Sequence, residues 1–266
     1  MDTVTSISVS ALRSALGTPR APLIVDVRKP PAFDADPLMI ASAIRRSHDA
    51  VAGWAATLPS GRDVVAYCVH GHEVSQGAAR ALAERGVHAR YLEGGIADWQ
   101  AAGAPTVRRL PDIGHGLTAA TRWVTRERPK IDRVACPWLV RRFIDPFAVF
   151  DYVPPDRVLD AARESKAVPY DVPRVQFSHR GERCSFDAIL EDFALREPAL
   201  DVLAVIVRGA DTARLDLAPQ AAGLLAVSLG LSRNFADDAA MLEAAMPVYD
   251  ALYAWCREAR SRTDPS

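Results

Sequence analysis

Two runs, Leu23-Ile24-Val25-Asp26-Val27 and Asp63-Val64-Val65-Ala66-Tyr67-Cys68, restrict what this chain can fold into more than any other feature. A strand with one wet face alternates apolar and polar residues, whereas a strand covered on both faces is apolar throughout, as in a parallel sheet flanked by helices. Both runs carry a polar or reactive residue at their end, where such sheets deliver functional groups. A third strand is expected over His88-Ala89-Arg90-Tyr91-Leu92. Before it, Ser75 to Arg85 has Ala78, Ala79, Leu82 and Ala83 at helical spacing, with Ser75 expected as N-cap and Gly86 as the stop. The result is a strand-loop-helix-strand unit with Cys68 where the loop begins, inside a stretch from residue 7 to about 105 that alternates strands and helices.

Beyond that stretch, Gly103, Pro105, Pro111, Gly114 and Gly116 interrupt any period, as a linker does. The expected organisation is therefore a domain over 1–110, a linker over 111–120 and a second domain over 121–266. In the second, Arg122 to Thr125 and Val149 to Val153 read as short strands around a helix from Pro137 to Ile144. Helical spacing then dominates over Asp156 to Lys166, Ser185 to Ala194, Ala199 to Arg208, Ala218 to Leu231 and Asp237 to Arg260, where Pro247 should kink or break the last helix. This is a mainly helical α+β domain. Trp123, Trp138 and Trp255 are expected in its core, with Cys256.

Charge and cysteine usage exclude several classes. With 32 basic and 33 acidic side chains the net charge is -1, so no global field draws the chain to nucleic acid or an anionic membrane. The uncharged run Leu217 to Ser232 is too short and interrupted to span a bilayer, and the first residues lack the apolar segment of a signal peptide. A cytoplasmic protein is expected. The four cysteines form no CxxC pair, and no flavin or nicotinamide motif is present, so no cofactor is expected.

The loop Cys68-Val69-His70-Gly71-His72-Glu73-Val74-Ser75 places a thiol between a buried strand and a helix N-terminus, a nest of N–H groups that favours a thiolate. Together with Ile24-Val25-Asp26-Val27-Arg28 upstream and Tyr91-Leu92-Glu93-Gly94-Gly95-Ile96-Ala97-Asp98-Trp99 downstream, this segment resembles the rhodanese (sulfurtransferase) domain. The resemblance implies a central parallel sheet flanked by helices and Cys68 as a nucleophile that carries sulfane sulfur as a persulfide. It further implies a substrate loop of His70, Gly71, His72, Glu73 and Ser75, and a structural pair, Asp26 with Arg28. Partners would be a small sulfur donor and a thiol or cyanide-like acceptor. Many rhodaneses carry arginine where this chain has Glu73, and a carboxylate there repels an anionic donor such as thiosulfate unless His70 or His72 is protonated.

From Trp123 to Pro146 there are six basic residues against three acidic. Arg126, Arg128, Lys130 and Arg133 there suggest a site for a small oxyanion such as chromate or sulfate, the alternative being a structural segment ion-paired to Asp132 and Asp145. That stretch, with Gln176 to Asp187, Val207-Arg208-Gly209-Ala210-Asp211 and Gly230-Leu231-Ser232, resembles the C-terminal domain of the ChrB chromate-resistance proteins over about 121 to 258. The resemblance implies a link to chromate tolerance and its regulation. Nucleic-acid binding is not expected, because no helix-turn-helix pattern is present. His179, Glu182 and Cys184 with Cys136 could form a transition-metal site, or the first two cap a turn while the thiols pack as small hydrophobes; no metal is assigned. The expected function is a cysteine-dependent sulfurtransferase in chromate or oxyanion stress. The alternatives are a non-enzymatic chromate-responsive sensor and a thiol-based reduction of chromate.

Overall fold

A computed structural model describes residues 4–116 and 119–261. Leu117 and Thr118 of the expected linker and the outer ends of both expected domains lie outside the described residues. The chain divides into two units: the first runs to Ala119 and takes in Arg142–Pro146, and the second holds the remainder.

The first unit is built in the order β1 (Ser6–Ile7), α1 (Val9–Ala15), β2 (Leu23–Asp26), α2 (Pro30–Ala35), β3 (Leu38–Ile40), β4 (Ala43–Arg45), α3 (Val51–Ala55), β5 (Val64–Tyr67), α4 (Glu73–Ala83), β6 (Ala89–Leu92), α5 (Gly95–Ala101) and β7 (Thr106–Arg108). Five strands form a parallel sheet in the order β1-β6-β5-β2-β4, and β3 with β7 makes a separate antiparallel pair. The two apolar runs are its central strands, with every residue of β2 and β5 buried. Their register sets Asp26 beside Tyr67, so the chain reaches Cys68 at the carboxyl edge of the sheet. Ser75 is not the N-cap of α4; His72 is, and Ser75 lies buried inside the first turns. The hydroxyl faces the preceding loop, so the helix can begin three residues earlier than the capping residue suggested.

The second unit contains β8 (Arg122–Arg126), α6 (Asp132–Leu139), β9 (Val149–Val153), α7 (Val158–Ser165), β10 (Val168–Pro169), α8 (Ser185–Asp192), α9 (Pro198–Asp211), α10 (Pro219–Asn234) and α11 (Asp238–Ser261). A three-stranded parallel sheet, β10-β8-β9, carries α7 on one face, where Val124 packs with Val158, Ala162 and Ala167. On the other face Trp123 meets Phe150, Tyr170 and Phe177. Helices make up most of the rest, as the periodicity indicates.

Two prolines lie inside helices. Helix α6 starts at Asp132 and runs through Pro137 into a π-helical turn, Val140–Ile144. Proline supplies no N–H to the carbonyl four residues back, and here that carbonyl, Arg133 O, is met by the Tyr170 hydroxyl at 3.1 Å. Pro247 likewise sits within α11, which continues unbroken. Trp123, Trp138 and Cys256 are buried, but Trp255 is 43% exposed, because, one residue before Cys256, it lies about 100° round α11 and off the buried stripe. Among the described residues no helix is long and apolar enough to cross a membrane.

Candidate functional site

The first site grows from the carboxyl ends of β2 and β5. Asp26 and Arg28 are both wholly buried, with Arg28 Nε and Nη2 donating to Asp26 Oδ2 at 2.9 and 2.7 Å and the Tyr67 hydroxyl donating to the same oxygen at 2.8 Å. Arg28 also reaches Asp36 and the Leu38 carbonyl. Burial opposes the guanidinium charge, yet the bonds to Asp26 together with the charges of Tyr67, Asp26 and Asp36 hold the Arg28 pKa above its ordinary value. This network ties β2 to β5 one residue before Cys68.

Cys68 is 6% exposed, and its Sγ lies 3.2 Å from Ser75 Oγ, which also contacts the His72 carbonyl at 3.2 Å. Because Ser75 stands within the first turns of α4, the thiol faces the helix end whose N–H groups lack intrahelical acceptors. The loop itself is shaped by glycine. Gly71 and Gly95 have φ of 72° and 60°, and a Cβ on Gly95 would collide with the carbonyls of Cys68 and Val69 and with Gly71 N. Backbone therefore packs on backbone, and the first N–H groups of α5 close the contact, Ile96 N to Cys68 O and Ala97 N to Val69 O, each at 3.0 Å. The glycine pair at the start of α5 is thus part of what holds the thiol loop.

Around Cys68 opens a pocket of about 540 Å³ lined by Arg28, Lys29, Ala32, Val69, His70, His72, Glu73, Val74 and Gln76. His70, His72 and Glu73 are exposed on its rim, the two imidazole rings 6.1 Å apart. Lys29, Ala32 and Gln76 went unread in the sequence, although Lys29 directly precedes the proline pair that opens α2 and Gln76 follows Ser75. Gln76 Nε2 donates to the Gly71 carbonyl at 3.0 Å, which adds a further tie on the loop.

The basic stretch of the second unit does not assemble the expected oxyanion cradle. Arg126 Nη2 is 2.8 Å and Arg133 Nε 3.2 Å from the same oxygen, Asp171 Oδ2. Arg128 directs its guanidinium to the carbonyls of Phe235 and Ser232, and Lys130 is exposed apart from them. Arg126 and Arg133 are ion-paired to Asp171, from a distant segment, and Arg128 to Asp238, not to Asp132.

Asp132, at the start of α6 and 0% exposed, accepts instead from Ser185 N at 2.8 Å, Phe186 N at 3.0 Å and the Cys136 thiol at 3.1 Å. Its carboxylate caps α8 from another part of the chain. Asp187 closes the same helix end, bonding Cys184 N at 3.0 Å and pairing bidentately with Arg208 at 2.6 and 2.9 Å. His179 Nε2 lies 3.2 Å from Asp211, 3.4 Å from Asp171 and 3.7 Å from Asp132. Burial, then the neighbouring Asp211 and Asp171, raises the Asp132 pKa to about 7, and burial, then Asp171, raises that of Asp211. Burial also lifts the thiols of Cys136 and Cys184 well above their ordinary range. Of the four sequence candidates for a metal, only His179 joins this group: the two cysteines lie buried as protonated thiols beneath it, and Glu182 is exposed outside it. Asp132, Asp171 and Asp211 were missed as functional groups. Two of them stand inside the stretches Trp123 to Pro146 and Val207 to Asp211, where the pairing of distant segments was invisible.

Comparison with known proteins gives two family matches, a rhodanese-like domain over residues 8–102 and the C-terminal domain of ChrB over residues 123–256. The chain is 35% identical over 144 residues to Protein ChrB of Cupriavidus metallidurans, covering 53% of this chain and 42% of that protein. The chain thus spans less than half of that relative's length. Similar solved structures include a rhodanese-related protein from Thermoplasma volcanium, 26% identical with a TM-score of 0.34, covering 39% of this chain and 97% of its own. Another is a rhodanese-like domain protein from Staphylococcus aureus, 23% identical with a TM-score of 0.32, covering 36% of this chain and 91% of its own.

Proposed function

The chain belongs to the ChrB C-terminal domain family, with a rhodanese-like domain ahead of that match, and on this premise we propose that it is a cysteine-dependent sulfurtransferase acting in the cytoplasm in chromate or related oxyanion stress. The observation that carries the reading is Cys68 Sγ at the carboxyl edge of a parallel sheet, 3.2 Å from Ser75 Oγ, on the floor of a pocket large enough for a donor.

The chemistry follows from those groups. The Cys68 thiolate attacks the outer sulfur of the donor; a new S–S bond forms at Sγ as the donor's own bond to that sulfur breaks, its electron pair leaving with the donor fragment. The acceptor nucleophile then attacks the outer sulfur of the persulfide, and Cys68 departs as thiolate. The Ser75 hydroxyl, 3.2 Å from Sγ, stands where it can donate to the departing thiolate. No external oxidant enters, since the sulfur changes partners without net oxidation.

The pocket favours a donor other than thiosulfate. A tetrahedral oxyanion occupies only a small part of about 540 Å³, and the Glu73 carboxylate on the rim offsets the one lysine of the lining, Lys29. The apolar walls from Ala32, Val69 and Val74 suit a polysulfide or an organic persulfide. The test is intact mass after incubation with thiosulfate, 3-mercaptopyruvate and polysulfide. We expect the wild type to gain the mass of one sulfur atom and Cys68→Ser to gain none while keeping its circular dichroism and melting temperature. Failure to gain sulfur from any donor would overturn the reading and favour the non-enzymatic sensor.

A further inference from the structure

The second unit brings together residues that lie far apart in the chain: Asp132 at the start of α6, His179 in the segment before α8, and Asp211 as the last residue of α9. One ligand atom from each lies within 4.8 Å of the other two. His179 Nε2 is 3.2 Å from Asp211 Oδ2 and 3.7 Å from Asp132 Oδ2, with Asp171 Oδ1 at 3.4 Å. Ligands that each sit about 2.0–2.2 Å from one ion are roughly 3.0–3.5 Å apart, so these atoms already stand near the separations of a coordination shell.

The surroundings aim these atoms and leave a charge to be met. Asp132 is held by two N–H groups of α8 and by the Cys136 thiol, and Asp171 is held through its other oxygen by Arg126 and Arg133. Among the described residues, no lysine or arginine lies within ion-pair distance of Asp132 or Asp211, although the Arg133 charge acts on Asp211 from further off, and His179 Nε2 is the side-chain nitrogen they share. A wholly buried carboxylate without such a partner is costly, and a second beside it more so. Two carboxylates match the charge of one divalent ion, whereas a single imidazolium offsets half of it. His179 is 40% exposed, which leaves this side of the group open to solvent.

We propose that Asp132, His179 and Asp211, with Asp171 beside them, form a divalent-cation site. One imidazole with carboxylates and no thiolate selects an ion of the Mn²⁺ or Zn²⁺ class over soft ions. Ion entry displaces any proton held by the carboxylates or by His179 Nε2 and changes no oxidation state. The site is independent of Cys68 and of the sulfur-transfer reading.

The experiment is a titration of the full chain, freed of metal by chelation, with Mn²⁺, following loss of the free-ion signal by electron paramagnetic resonance. We expect one equivalent to bind, with affinity lowered roughly tenfold or more in both His179→Gln and Asp211→Asn. A His70→Gln/His72→Gln double variant should bind like the wild type. Absence of saturable binding to the wild type overturns the proposal, as does undiminished binding in His179→Gln or loss of binding in the loop double variant. Circular dichroism checks that each variant folds; should Asp211→Asn fail, the half-exposed His179→Gln decides alone.

Discussion

Gly95→Ala tests whether the thiol loop is held by backbone-to-backbone packing, and Gly86→Ala is its internal control. Both glycines have positive φ, 60° and 77°, so alanine strains either position by about 1–2 kcal/mol. They differ in their surroundings: nothing lies within 4 Å of a Cβ at Gly86, while a Cβ at Gly95 falls on the carbonyls of Cys68 and Val69 and on Gly71 N. Those are backbone atoms with no rotamer to escape into, so the loops must separate, at a further cost of about 1–3 kcal/mol. Separation also stretches the bonds from Ile96 N and Ala97 N, each worth about 1 kcal/mol. We expect Gly95→Ala to lose about 2–5 kcal/mol and Gly86→Ala about 1–2, measured by urea unfolding followed by circular dichroism. Because the displaced carbonyls belong to Cys68 and Val69, sulfur loading of Gly95→Ala, read by intact mass, should fall while that of Gly86→Ala holds. Equal destabilisation of the two variants would refute the packing argument; a large loss with unaltered sulfur loading would refute its connection to the thiol.

Glu73→Arg should raise turnover with thiosulfate several-fold, about 1 kcal/mol of electrostatic gain on the pocket rim, and unchanged turnover in a steady-state assay would remove Glu73 from donor choice. The Asp132 pKa of about 7 lies above that of an unfolded aspartate, near 3.9, so between those values the folded state binds more protons and stability falls as pH rises, by up to about 1.4 kcal/mol per pH unit. In the presence of a chelator, urea unfolding from about pH 5 to about pH 7 should show that fall in the wild type and a flatter profile in Asp132→Asn; parallel profiles would refute the assignment. Tyr170→Phe removes the hydroxyl that meets the Arg133 carbonyl left unserved by Pro137, and should cost about 1–3 kcal/mol in the same assay. A change within error would mean that carbonyl finds another partner.

What could be read in the chain alone is what local burial writes into local sequence. A strand covered on both faces must be apolar at each position, which made β2, β5 and the place of Cys68 legible. Helices α9 to α11 were equally legible, because one buried face repeats every three to four residues. Elements of two or three residues, such as β1, β4 and β10, carry too few positions for any period to emerge. Trp255 was misplaced for a related reason, since a large apolar residue on a helix is not bound to the buried stripe.

The polar groups depended on tertiary structure. Arg126 and Arg133 read as an oxyanion site or as partners of Asp132 and Asp145, until β8 and the segment after β10 set Asp171 beside them. Asp132 read as their partner until α8 presented its N–H groups. Ser75 read as a cap until α4 began at Glu73 and turned its hydroxyl to Cys68. Backbone periodicity records only whether a side chain is covered. Which charges meet is decided when segments separated by tens of residues pack, because a buried polar group must then find whatever partner the fold has brought within about 3 Å.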